Sequence, residues 1–238
     1  SITPYAHPIL PLLCDVQTAC RADPSVVLPQ QPFAHPSDAR LQIRSALRFA
    51  EQHFGAKRRG MWPSEGAISE DAIRIMREEG VMWAASDEKV LARSLAGGLA
   101  DRRKLYGVYS WAGLPLLFRD GELSDRIGFV YAALDPEEAA DDLVARLNKI
   151  AEDVPGGVVP LILDGENCWE HYKDNGYPFL SRLYRRLAEK SSLQAVTVSQ
   201  ALQAAGEPQP LNHVSPGSWI NADFDVWIGN PEENRAWD

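Results

Sequence analysis

The chain has 238 residues, 45% hydrophobic and 24% charged, a globular mix that excludes disordered and fibrous classes. Lys and Arg number 24 against 33 Asp and Glu, a net charge of −9, which disfavours a module gripping nucleic-acid phosphates. No apolar run approaches the roughly 18 residues of a membrane helix, and no signal peptide opens the chain; neither fact fixes the compartment.

The elements follow from periodicity and punctuation. Ser1 to Pro8 is an apolar, β-branched opening. Ser37 to Phe54 reads as an amphipathic helix, with Leu47, Ala50 and Phe54 on one stripe and Gly55 as its stop. Gly60-Met-Trp-Pro-Ser-Glu65 is a strand end running into a loop, and Ser69 caps a second helix ending at Gly80. Short strands are predicted at Val81–Ala85 and Leu114–Phe118, the latter running into Arg119-Asp120. Pro136 to Asp153 is helical. Val158–Leu163 is an apolar strand leading into Asp164-Gly-Glu166-Asn167. Tyr177 to Lys190 is a helix, Ala195–Val198 a strand, and Ser199 caps a short helix. Asn230 as N-cap, Pro231 and the acidic pair Glu232-Glu233 start a last one.

Alternation of helices with continuous apolar strands predicts an α/β fold with a parallel sheet covered on both faces. Three strands end in carboxylates, at Glu65, Asp120 and Asp164, where such folds place their sites. G-x-G-x-x-G after a strand, G-x-x-x-x-G-K-[ST] and G-x-S-x-G are all absent, so neither phosphate cradling nor an α/β-hydrolase has support. Cys14, Cys20 and Cys168 carry no C-x-x-C, and the five histidines no H-x-x-x-H; reduced thiols and no metal cofactor are expected.

Two carboxylates in one cleft suit glycoside cleavage, one ionised as nucleophile and the other protonated to donate to the leaving oxygen. Seven tryptophans supply flat faces for sugar rings. Each residue also has a plainer reading: a tryptophan as core, a strand-end acid as helix cap or salt-bridge partner. Asp125 and Arg126 read as a structural ion pair, and Asp223 and Asp225 as turn caps or sugar contacts.

Taken together, Thr3–Leu13, Gly60–Glu65, Phe118–Phe129, Asp164–Tyr172 and Gly217–Ile220 resemble glycoside hydrolase family 57 in order and over nearly the whole chain. The D-G-E-N-x-W-E-x-Y segment is most similar to the amylopullulanase branch. The resemblance implies an incomplete (β/α)7 TIM-like barrel and a retaining mechanism on α-linked glucans, with no nucleic-acid or membrane partner. By position it makes Glu65 the nucleophile and Asp120 the general acid/base. The resemblance likewise implies that His7, Trp62, Asp164, Glu166 and Trp219 line the sugar subsites. Residues 1–205 would be the catalytic barrel segment, and 206–238 a substrate loop with the start of a helical region. The family's paired-histidine motif and glutamate-bearing strand do not precede Ser1, and the helical region stops at Asp238. A barrel truncated at both ends, surviving as a homo-oligomer or as part of a longer chain, is therefore expected. A 4-α-glucanotransferase, a metal-dependent carbohydrate deacetylase and a non-catalytic glucan-binding fragment are the other readings.

Overall fold

A computed structural model describes residues 1–55, 60–165, 168–189 and 192–238. In chain order the elements are α1 (Leu10–Cys14), α2 (Thr18–Ala22), α3 (Pro36–Phe54), α4 (Glu70–Glu78), β1 (Ala84–Asp87), α5 (Glu88–Ser94), β2 (Tyr109–Trp111) and β3 (Leu114–Arg119). They continue with α6 (Gly121–Asp125), α7 (Pro136–Asp153), α8 (Tyr177–Glu189), α9 (Val198–Ala204), β4 (Gln209–Pro210) and α10 (Pro231–Trp237). Two units divide the chain: Ser1–Asp101 with Val108–Phe118 and Pro208–Asp238, and Arg102–Gly107 with Arg119–Glu207.

In the first unit, α3 buries Ala39, Ile43, Ala46 and Ala50, one residue per turn on a single stripe, and stops where Gly55 turns left-handed at φ 67°. The Ser69 hydroxyl accepts from Ala72 N–H and starts α4, as its sequence predicts. Strands run in the order β1-β3-β2-β4. The β2–β3 pair is antiparallel, with Tyr109 opposite Leu116 and Trp111 opposite Leu114, and β2–β4 is parallel. The all-parallel expectation fails here because Ala112 and Gly113, at φ 48° and 78°, close a tight hairpin.

Parallel pairing does appear beside this sheet, where Ile2 bridges Met61 and Met61 bridges Ala84. Gly60 makes that approach possible: a Cβ on it would come within 1.8 Å of the Trp83 ring. Ile9, Leu12, Val16, Ala19, Ala67, Phe224 and Ile228 pack into a core that ties the early helices α1 and α2 to the segment from Phe224 onward. Cys14 lies near that core, and burial pushes its thiol up to about 12. Cys14 and Cys20 form no disulfide.

In the second unit, α7 has the predicted bounds because Asp135 accepts from Glu137 N–H and Pro136 fixes the first turn. Its Ala139, Ala140, Leu143, Val144 and Leu147 pack with Phe179 and Leu183 of α8. Each large side chain buried there contributes about 1.5–3 kcal/mol. Across the same helix pair the Glu137 carboxylate accepts from Arg182, Arg185 and Arg186.

Two predicted strands take other forms. Val158–Leu163 is irregular and outside the sheet: Val158 N–H donates to Tyr106 O, and Pro160 O accepts from Asp120 N–H. Pro160 has no N–H to continue a ladder. Ala195–Val198 gives way to α9, which Thr197 rather than Ser199 caps, in a reciprocal box with Gln200. Among the described residues no helix is long and apolar enough to cross a membrane.

Candidate active site

In the first unit the chain rises from the Met61 bridge through Trp62 and Pro63 into a single tight turn, Ser64–Gly66. Glu65 sits in that turn at φ 57°, ψ 24°, left-handed backbone that a side chain occupies at a cost of about 1–2 kcal/mol. Gly66 is required next to it, since a Cβ there would lie 2.6 Å from the Trp62 ring.

Two rings hold the Glu65 carboxyl. Trp219 Nε1–H donates to Oε2 at 2.7 Å, and His7 Nε2 lies 3.1 Å from Oε1. An ionised carboxylate only accepts, so a hydrogen bond from His7 to it requires the tautomer with the proton on Nε2. Trp219 N–H also donates to the Glu65 carbonyl at 2.9 Å. The Glu65 side chain keeps 27% of its surface exposed and His7 51%, so the acid remains within reach of a ligand.

Trp62 meets Trp219 edge to face, ring centroids 5.6 Å apart at 72°. Gln42 of α3 fixes the turn that presents His7, its side-chain oxygen accepting from Ala6 N–H and its carbonyl from Tyr5 N–H. Of the predicted first-unit site residues, the structure thus brings His7, Trp62, Glu65 and Trp219 into one constellation, with Glu65 58 positions from His7 and 154 from Trp219.

In the second unit, Asp120 is the N-cap of α6 and only 1% exposed. Its Oδ1 accepts from Leu123 N–H at 2.9 Å and Arg102 Nη2 at 3.0 Å, and its Oδ2 from the Tyr106 hydroxyl at 2.9 Å. Burial first, then the Asp120 charge, raises the Tyr106 phenol, which stays a donor. These contacts give Asp120 the helix-cap and ion-pair parts that a strand-end acid commonly plays. Spacing gave no sign of Arg102 or Tyr106.

Asp164, at the end of the Val158–Leu163 segment, is half-buried. Glu166 lies outside the described residues. Asp125 and Arg126 are both in ion pairs, though not with each other: Asp125 meets Arg119, and Arg126 faces Glu122 and Asp142. Asp223 accepts from Asp225 N–H in a turn, and burial raises its carboxyl above the usual range. Among the described residues no three His, Cys, Asp or Glu side chains gather as a metal ion would need.

The site in the first unit is thus a partly exposed carboxylate bonded by an imidazole and an indole, with a second indole packed against the first. The model of glycosyl hydrolase family 57 matches residues 1–213, and the chain belongs to this family. A Methanocaldococcus jannaschii protein named "Putative alpha-amylase" is 32% identical over 128 residues, 50% of this chain and 26% of that protein.

Two solved structures share the fold. The branching enzyme of Thermococcus kodakaraensis has a TM-score of 0.73 at 17% identity, over 99% of this chain and 52% of that one. The 4-alpha-glucanotransferase of Thermococcus litoralis has a TM-score of 0.64 at 19% identity, over 78% of this chain and 28% of that one. The chain spans about half the length of the first structure and a smaller part of the other relatives.

Proposed function

We propose that the protein containing this chain processes α-linked glucans by a retaining double displacement, with Glu65 as the nucleophile. The observation that carries this reading is the Glu65 carboxylate held by His7 and Trp219 with part of its surface open. In the first step a Glu65 oxygen attacks the anomeric carbon, the glycosidic C–O bond breaks, and a general acid protonates the departing oxygen. In the second step a water or sugar hydroxyl, deprotonated by that same group, displaces Glu65 and restores the original configuration. His7 and Trp219 aim the carboxylate, while Trp62 and Trp219 offer ring faces for a sugar.

The second carboxyl acid in this proposal is Asp164. The burial of Asp120 and the three donors on its oxygens support assigning the proton-transfer role elsewhere. Asp164 keeps solvent access and ends the segment whose Pro160 carbonyl accepts from Asp120 N–H. Glu166 is proposed as a sugar ligand, and the barrel as the incomplete (β/α)7 type. The division at residue 205, with the sugar-binding loop following it, is likewise a proposal.

Hydrolysis is the leading outcome, in keeping with the amylase-named relative. Transfer to a sugar hydroxyl is the second reading, favoured by the fold shared with a glucanotransferase and a branching enzyme. The product profile on maltooligosaccharides separates them, since hydrolysis yields only shorter chains and transfer also yields longer or branched ones. A 5-fluoro-α-glucosyl fluoride is expected to trap the nucleophile. Mass spectrometry should then find the sugar on the peptide containing Glu65, and a sugar on any other carboxylate would overturn the assignment.

A further inference from the structure

Trp219 reaches Glu65 from a loop whose conformation is costly; Ser218 and Ile220 bond to each other within it, and one distant side chain binds the carbonyls of its left-handed pair. The loop has two firm feet. Gly217 forms an antiparallel bridge with Ile68, exchanging both backbone hydrogen bonds, and Phe224 is 1% exposed in the core. Between them, Asn221 and Ala222 both take left-handed backbone, at φ 55° and 59°. Alanine rarely adopts that conformation, and no hydrogen bond from its own side chain can support it. The turn folds so closely over Gly217 that a Cβ there would lie 2.4 Å from Ala222 O.

Carbonyls turned by this backbone need donors. Arg93, in the last turn of α5, supplies them: Nη1 donates to Ala222 O at 2.6 Å and Nη2 to Asn221 O at 3.2 Å. Nη1 also donates to Ala22 O, the last residue of α2, at 3.0 Å. A planar guanidinium fork suits this arrangement, whereas an ammonium offers a single point charge. Its charge also reaches the neighbouring carboxylates of Asp23 and Asp223.

We infer that Arg93 is a positioning residue for the reaction: by clamping the Asn221–Ala222 carbonyls it sets the loop that aims the Trp219 indole N–H at Glu65. It acts through Trp219 and Glu65, and its catalytic consequence rests on Glu65 being the nucleophile. Nothing in the sequence spacing marks it, as 128 and 129 positions separate it from the carbonyls it binds.

The test uses the complete protein with Arg93→Met, Arg93→Lys, Trp219→Phe and the Arg93→Met/Trp219→Phe double variant. One readout is the indole N–H nuclear magnetic resonance of Trp219, assigned by its loss in Trp219→Phe. The other is kcat and KM on a maltooligosaccharide. In Arg93→Met the resonance should move towards the position of an unbonded indole, and kcat should fall about 10- to 100-fold with KM nearly unchanged. In the Trp219→Phe background the same substitution should cost less than about twofold, because the link is already cut. Arg93→Lys should fall between wild type and Arg93→Met in both readouts, and it serves if Arg93→Met folds poorly. An unmoved resonance in Arg93→Met, or equal losses in both backgrounds, would overturn the inference. A moved resonance with unchanged turnover would uphold the clamp and overturn the assignment of Glu65.

Discussion

Replacing Glu65 with Gln in the complete protein is expected to lower kcat on maltooligosaccharides at least about 10⁴-fold, a loss of about 5 kcal/mol in transition-state stabilisation. The amide is nearly isosteric, and its oxygen can still accept from Trp219 Nε1–H, so the fold should survive; thermal melting checks this. What disappears is the anionic oxygen that attacks the anomeric carbon and the charge that stabilises the oxocarbenium-like transition state. Substrate binding should change far less than kcat, because ring stacking on Trp62 and Trp219 does not depend on that charge. Turnover within tenfold of the wild type would remove Glu65 from the chemistry.

The second large effect separates Asp164 from Asp120. Asp164→Asn should lower turnover of maltooligosaccharides about 10²- to 10⁴-fold, the usual contribution of a positioned acid. It should largely spare glycosyl transfer from a dinitrophenyl α-glucoside, whose leaving group needs no proton. Asp120→Ala should instead show its effect in stability. It removes the cap of α6 and leaves Tyr106 and Leu123 N–H without their acceptor, at a cost of about 2–4 kcal/mol in urea unfolding. Below its melting point the Asp120→Ala protein should keep turnover within about tenfold, a retention that general-acid loss does not allow. If the leaving-group signature followed Asp120 instead, that residue would be the acid and Asp164 would revert to a sugar ligand.

Helices were the most legible part of the sequence. The cap, proline and stripe at Pro136–Asp153 give α7 its observed bounds, and Gly55 and Asn230 stop and start α3 and α10 as their chemistry dictates. Strand topology was less legible, because a run of apolar residues does not say which way its neighbour runs. Tyr109–Trp111 was overlooked as a strand, although Ala112-Gly113 before Leu114 is a two-residue hairpin turn that could have revealed it. Pro160, by contrast, is visible in the sequence inside an apolar stretch that reads as a strand, and its missing donor is what keeps that stretch out of the sheet.

The site was half legible. Motif order placed His7, Trp62, Glu65 and Trp219, yet only the fold reveals that two nitrogen donors hold one carboxyl. A strand-end aspartate reads the same whether it serves chemistry or caps a helix. The difference at Asp120 comes from Arg102 and Tyr106, brought in by packing within its own unit.

The left-handed turn at Glu65 has one further bearing, on how the position could be redesigned. Glycine is the residue its backbone favours, so truncation there would relieve torsional strain while opening a void the size of the missing acid beside His7 and Trp219. Any small external anion that entered that void would meet the two donors already in place, and a sugar fluoride of the opposite anomeric hand could then be coupled without later being cleaved. On the proposed assignment of Glu65, a scaffold that opens glycosidic bonds would in this way become one for building glucans.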